Sequence, residues 1–274
     1  MTCDLFLCPV CGAPLTAEGK SYLCPSRHCF DIARDGYVNL LRSNAGAGDH
    51  GDNREMIRAR RDFLSAGYLE PLMAALADLA LVHATDNCAV LDAGCGECSY
   101  TDRIERTLTA AGKSARVLGV DLSRDALSLG GRRNKSLSLA VASVYHLPIA
   151  DESIDLLFEI FAPFSEDESA RVLKKGGKMV MAIPAARHLF GMKAVLYEHP
   201  YENEVQDTAL SRFRLIERRT VSDQITLESD TDVWNLFTMT PYFYRTSPAD
   251  KERLRHAAPL TTEIAFEVLV YEKT

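Results

Sequence analysis

The chain has 274 residues, 47% of them hydrophobic, and a formal net charge of −7, enough for one large domain or one domain with a small appendage. The acidic balance excludes a chain coated in basic surface for nucleic acid, so any RNA contact has to be local. No apolar run reaches transmembrane length, and the N-terminus has neither the basic start nor the apolar centre of a signal peptide, which points to a cytoplasmic protein with no membrane partner.

All eight cysteines fall within the first 98 residues, five of them before residue 30: Cys3, Cys8, Cys11, Cys24 and Cys29. In a cytosolic chain such clustering means metal more often than disulfide. Cys8-x-x-Cys11 is followed after twelve residues by Cys24-x-x-x-His28. Two tight pairs a hairpin's length apart aim four ligands at one tetrahedral ion. Cys8, Cys11, Cys24 and His28 are therefore read as a closed, structural zinc site, with Cys29 as an alternative to His28. A ribbon over 1–42 is too short to bury a core, and bound metal supplies the missing stability, on the order of 10 to 16 kcal/mol in zinc peptides. Residues 30–41 read as a strand and turn that finish this small domain. Cys3 reads as a terminal thiol, and Cys88, Cys95 and Cys98 as small packing residues.

Residues 43–53 are rich in glycine and small polar residues and read as a linker loop. Asp52 with Glu55 forms a capping box for a helix over 54–66. That helix carries Met56, Ile57, Phe63 and Leu64 on one side and Arg54, Arg58, Arg60 and Arg61 on the other. The arginines suit either an RNA-facing, phosphate-holding face or a solvated one. Gly67 stops the helix, and Pro71 starts another whose Leu72, Leu76, Leu79 and Val82 cover a sheet.

The apolar run 88–91 reads as a buried strand that breaks at Asp92 into a turn holding Gly94 and Gly96. Ser99 then caps the next helix. Ligands sit beyond the carboxyl end of such a strand, where the helix offers free amides. The dinucleotide pattern G-x-G-x-x-G fails, because Ser99 stands at its third glycine. Asp92 suits S-adenosylmethionine, which has a cationic sulfonium and no phosphate to repel a carboxylate. The next strand, 115–120, leads to Asp121, placed for a ribose hydroxyl pair. On these residues the chain resembles a class I methyltransferase. The fold expected over 54–274 is α/β and Rossmann-like, with a mostly parallel seven-stranded sheet, beside the zinc ribbon.

The remainder alternates strand and helix. Ser123 caps a helix running to Gly130-Gly131, and strand 137–141 leads to Ser143, which in this architecture borders the adenine. Strand 154–160 runs into Phe161-Ala162-Pro163-Phe164, followed by a helix at 168–173 and a strand at 178–183. After 184 come C-terminal additions. Arg212, Arg214, Arg218 and Arg219 form a second candidate phosphate surface, Trp234, Leu236 and Phe237 mark an amphipathic helix over 232–239, and 262–271 alternates as a last strand.

Several blocks go beyond a generic methyltransferase: C-P-x-C…C-P-x-R-H, D-x-A-R-D-G-Y-V-N-L-L, G-D-x-x-E-M-x-x-A-R-R-x-F-L, L-D-x-G-C-G-E, I-F-A-P, P-x-x-R-H-L and M-T-P-Y. Together, from Cys8 to about Tyr244, they resemble the bacterial 23S rRNA guanine-N(1) methyltransferases of the RlmA type. The resemblance implies S-adenosylmethionine as cofactor, a 23S rRNA hairpin as partner and a homodimer. It carries cofactor contacts to Gly96, Glu97 and His188, and a further one to Gly67-Tyr68-Leu69, where the family has its aromatic at the place of Leu69 and this chain has Tyr68. Cys98 stands where glycine is usual. Phe161 and Phe164 are candidates to stack on a flipped base. The segment Phe161-Ala162-Pro163-Phe164 replaces the Asn-Pro-Pro-aromatic motif of amino-directed enzymes, which agrees with ring-nitrogen chemistry. Neither Glu159 nor His146 is singled out as a base. Two other readings stay open: a small-molecule methyltransferase, and a non-catalytic RNA- or ribosome-binding protein of the same fold.

Overall fold

A computed structural model describes residues 5–41, 52–204 and 208–274. Cys3 and most of the expected linker, 43–51, lie outside the described residues. The zinc-ribbon segment forms a three-stranded antiparallel sheet of β1 (Thr16–Glu18), β2 (Ser21–Leu23) and β3 (Cys29–Asp31). The short strand β4 (Tyr37–Asn39) follows. Helices α1 (Arg54–Ser65) and α2 (Glu70–His83) lead into β5 (Cys88–Ala93), α3 (Ser99–Ala110), β6 (Ala115–Asp121), α4 (Arg124–Arg133) and β7 (Ser138–Val141). The return half is β8 (Ile154–Ile160), α5 (Glu166–Val172), β9 (Leu173–Pro184) and α6 (Phe190–Leu196). The chain ends with β10 (Phe213–Leu227), α7 (Asp230–Thr238), α8 (Tyr242–Arg245), α9 (Pro248–Glu252) and β11 (Leu260–Lys273).

The main sheet has the order β10-β11-β9-β8-β5-β6-β7-β4. Only β11 runs antiparallel to its neighbours. This is the expected doubly wound architecture with eight strands instead of seven. The added strand is β4, which leaves the ribbon and pairs in parallel with β7, Val38 opposite Ala140. The segment expected to complete the small domain is thus divided between two sheets. Its reason is local: β7 would otherwise present an unpaired edge, and Val38, 1% exposed, belongs to the core on that side of the sheet. The approach needs a residue without a side chain on α4, since a Cβ at Gly131 would lie 2.0 Å from the Asp35 carbonyl oxygen. For the same reason Gly130-Gly131 does not end α4, which runs on to Arg133.

Two helix starts also differ from expectation. The α1 cap is Asn53, whose side chain accepts the Met56 amide at 2.9 Å; Asp52 pairs instead with Arg60. Before α3 the cap position is held by Cys98 at φ 64, and Ser99 is the first helical residue. The Ser99 hydroxyl donates to Glu97 at 2.7 Å.

Between β7 and β8 the chain makes turns and no helix. The ribbon covers that face of the sheet. Phe6 and Leu15 are fully buried there with Tyr22, in one core with Leu91, Leu118, Val120 and Leu157. The Leu7 amide donates to the Pro148 carbonyl at 2.8 Å. The ribbon therefore stabilises the sheet as well as itself. Among the described residues no single helix is long and apolar enough to cross a membrane. Phe6→Ala is expected to destabilise the whole chain by about 3–5 kcal/mol, read as a lower denaturant midpoint in one cooperative transition; a loss confined to the ribbon would contradict the shared core.

Candidate cofactor site and metal centre

Strands β5 and β8 lie side by side and parallel, Leu91 opposite Leu157, but the chain runs from β5 out to β6 and β7 before returning. Their carboxyl ends form the switch point where α/β sheets bind ligands. Gly94 makes the crevice: its φ is +79, and a Cβ there would lie 2.4 Å from the Ala162 Cβ. The Gly94 amide donates to the Val120 carbonyl at 2.7 Å. Asp121 accepts the Gly96 amide at 2.9 Å and the Ser123 amide at 2.7 Å, which ties the turn to the end of β6. Glu97, 2% exposed, accepts from Ser99 and faces Arg133 at 3.7 Å.

Asp92 is 2% exposed. One of its oxygens accepts the Thr101 hydroxyl, and Oδ1 has no partner among the described residues. Burial pushes its carboxyl up to about 7, and raises Glu97 and Asp121 as well. A crevice of buried acids with an unpartnered carboxylate oxygen calls for a cation. S-adenosylmethionine, with its ammonium and sulfonium, fits that donor set, and the two glycines leave the backbone open to it. Cys98 sits in a left-handed conformation that glycine adopts freely. Its thiol is accommodated opposite Gly130, where a Cβ would lie 2.4 Å from Sγ.

The other expected contacts are spread more widely. His188 Nδ1 accepts the Ala265 amide at 3.3 Å, so Nε2 carries the hydrogen. Burial pushes its pKa down to about 3, leaving a neutral donor at physiological pH. Its ring lies 4.6 Å from that of Phe266, which lies 5.3 Å from Phe161, and Phe161 meets Tyr100 at 6.4 Å. Phe161 is 45% exposed at φ 54, a conformation that costs a bulky residue strain and recurs at functional sites. Phe164 is half-buried against the ribbon-side core. Ser143 opens a tight turn beyond β7, closed by the exposed His146. Tyr68 stacks on Phe63 and donates to Asp232 at 3.1 Å, while Leu69 is in the core. Glu159 is 3% exposed, one oxygen accepting from Ser169 and Oε2 unpartnered, with its carboxyl pushed well up by burial.

The α1 arginines do not form one face. Arg54 pairs with Asp125 at 2.7 Å and Arg61 with Asp62 at 2.7 Å. Arg60 turns towards the cofactor turn, and Arg58 is exposed with no partner among the described residues. Arg212, Arg214, Arg218 and Arg219 pair with Asp167, Glu272, Glu267 and Glu217, which neutralises the second basic surface. Sequence reasoning passed over Thr101, which holds Asp92; an ordinary threonine two residues into a helix carries no signal of that task.

At the metal centre the ligand atoms of Cys8, Cys11, Cys24 and His28 all lie within 4.8 Å of one another. His28 Nδ1 is 3.5 Å from Cys8 Sγ and 3.3 Å from Cys24 Sγ. Three thiolates and one imidazole suit tetrahedral zinc. Cys29 is exposed on β3 and outside the group.

The sequence matches the family described as RlmA, N-terminal, over residues 6–45, and the family described as methyltransferase domain over 90–177. A Micromonospora griseorubida protein, provisionally named a 23S rRNA (guanine-N(1)-)-methyltransferase, is 34% identical over 266 residues, covering 88% of each chain. A similarly named Bacillus subtilis protein is 32% identical over 268 residues, 92% of this chain and 90% of its own. The chain belongs to this family of 23S rRNA (guanine-N(1))-methyltransferases. The 23S rRNA (guanine(748)-N(1))-methyltransferase of Streptomyces fradiae is 33% identical over 186 residues, 66% of this chain and 64% of its own. As a family member, the chain has S-adenosylmethionine as cofactor and a structural zinc ribbon.

Between the ordinary carboxylate value and pH 7 the folded chain binds a proton on Asp92 that the unfolded chain lacks, so this group's contribution is lost as pH rises through about 7. Asp92→Asn is expected to remove that loss and to make the ligand-free protein more stable than wild type at pH 8, by a few kcal/mol at about 1.4 kcal/mol per pKa unit; equal pH profiles in chemical denaturation would contradict the assignment. Stripping zinc with a chelator is expected to lower the melting temperature of the main sheet together with the ribbon, read by circular dichroism of the helices.

Proposed function

We propose that this protein methylates N(1) of one guanine in a hairpin of 23S rRNA, acting in the cytoplasm, as a homodimer whose two α1 helices flank the RNA. The observation that carries the reading is Phe161. Its strained, exposed ring stands at the exit of β8, one residue from the Ala162 that touches the Gly94 turn. A flipped base stacked there is held beside the cofactor crevice. Bound S-adenosylmethionine supplies an electrophilic methyl group on its sulfonium. Asp92 takes the ammonium, Asp121 the ribose, and the Gly96-Glu97 backbone the methionine tail, with Ser143 at the adenine end. His188 offers its Nε2 hydrogen from the aromatic wall.

Methylation at N(1) requires loss of a weakly acidic imide proton. A general base would contribute roughly 100- to 10,000-fold, but Glu159 is buried and His188 has its free nitrogen already protonated. Water accepts the proton in this reading, and the protein's main work is alignment. Arg58 contacts phosphate directly. Arg54 and Arg61 exchange exposed acid partners for phosphate at little cost, since such surface pairs contribute about 0–1 kcal/mol.

The test is methyl transfer from labelled S-adenosylmethionine to 23S rRNA lacking its own guanine-N(1) modification, with the product located by a reverse-transcription stop. One stop in one hairpin is expected. Tight cofactor binding without transfer would favour a small-molecule substrate. Phe161→Ala should lower kcat/KM for RNA by about 10- to 100-fold and leave cofactor affinity unchanged. Arg58→Ala should reduce the salt dependence of RNA affinity by about one unit of slope.

A further inference from the structure

Arg60 is set apart from the other arginines of α1. It is half-buried, and a Cβ on Gly96 would lie 3.7 Å from one of its terminal nitrogens. That nitrogen also meets the Asp52 carboxylate, and the second terminal nitrogen donates to the Met239 carbonyl at 3.3 Å. The guanidinium thus stands over the cofactor turn, held from two sides by α7 and by the segment preceding α1.

The charges around it are one-sided. Asp92 and Glu97 are buried at the turn, Asp121 is half-buried beside them, and Asp52 adds a fourth acid. Arg133 answers Glu97 from α4. These acids account for the cationic parts of S-adenosylmethionine, its ammonium and sulfonium, and for its ribose. None of them supplies a positive charge for its carboxylate, which any ionised acid in the crevice would repel. His188 is neutral and offers a single hydrogen. A planar guanidinium matches a carboxylate with two parallel hydrogen bonds, and Arg60 already holds one carboxylate, that of Asp52, beside Gly96.

We infer that Arg60 binds the carboxylate of the cofactor's methionine moiety, and so selects ligands that carry the intact amino-acid head. The inference rests on the cofactor reading above and assigns Arg60 to the cofactor instead of to RNA phosphate. Asp52 then acts as the internal carboxylate that orients the guanidinium in the ligand-free protein.

The test compares S-adenosylmethionine with decarboxylated S-adenosylmethionine, which keeps the adenosine, sulfonium and ammonium and lacks only the carboxylate. Calorimetric titration of the full-length, zinc-loaded chain reads both affinities. Arg60→Gln is expected to weaken S-adenosylmethionine binding by about 10- to 100-fold, the range for a lost hydrogen-bonded charge partner, and to change binding of the decarboxylated ligand less than about threefold. Arg60→Lys should recover part of the loss. Equal weakening of both ligands would show that Arg60 only braces α7 against α1, and unchanged S-adenosylmethionine affinity would remove it from the site; either result overturns the inference. Wild-type protein that bound neither ligand would overturn the cofactor reading itself, and this inference with it.

Discussion

The contact on which the site depends is that between Gly94 and Ala162. Two loops leave neighbouring parallel strands at the switch point of the sheet, and they close to a separation that any side chain at Gly94 would prevent. The close approach brings together two kinds of chemistry. On the β5 side stand the acids and open backbone that suit a cationic cofactor, and on the β8 side stands a strained aromatic exposed to solvent. A wider crevice would move these two sets of groups apart, and close alignment of reacting groups is a large part of what a positioning enzyme supplies.

The acids of the turn carry an energetic cost that a bound cation would offset. Asp92 and Glu97 are buried and Asp121 is half-buried, and loss of solvent raises each carboxyl above its ordinary range. Removing water from such groups is unfavourable unless a charge or donor replaces it. Glu97 finds Arg133 and Ser99, and Asp121 finds two backbone amides, but Asp92 keeps an oxygen without a partner. Functional sites concentrate this kind of unmet demand.

The zinc ribbon has a larger part in the fold than an appended domain would. It replaces a crossover helix on one face of the sheet, and its continuation adds β4 as an edge strand. Metal binding therefore stabilises the surface that supports β5 and β6, the strands that carry Asp92 and Asp121 at their carboxyl ends. Cooperativity between ribbon and methyltransferase domain follows from one continuous core.

By itself, the sequence determined the alternation of strands and helices, the Cys8, Cys11, Cys24, His28 frame and the glycine turn flanked by Asp92 and Asp121. These signals are local: hydrophobic period, ligand spacing and the need for glycine at a sharp turn are set within a few residues. Only the tertiary structure decided that Tyr37–Asn39 joins the main sheet, that His28 and not Cys29 completes the metal group, and that Gly130 and Gly131 serve packing and not helix termination. The four arginines of α1 looked alike in sequence, yet one faces the cofactor turn, two pair with acids and one is exposed. Arg61 takes the adjacent Asp62, but for Arg54 and Arg60 the deciding partners, Asp125 and Met239, are distant in the chain and no local pattern specifies them; the fold brings them together only when the sheet and its covering elements close around one core.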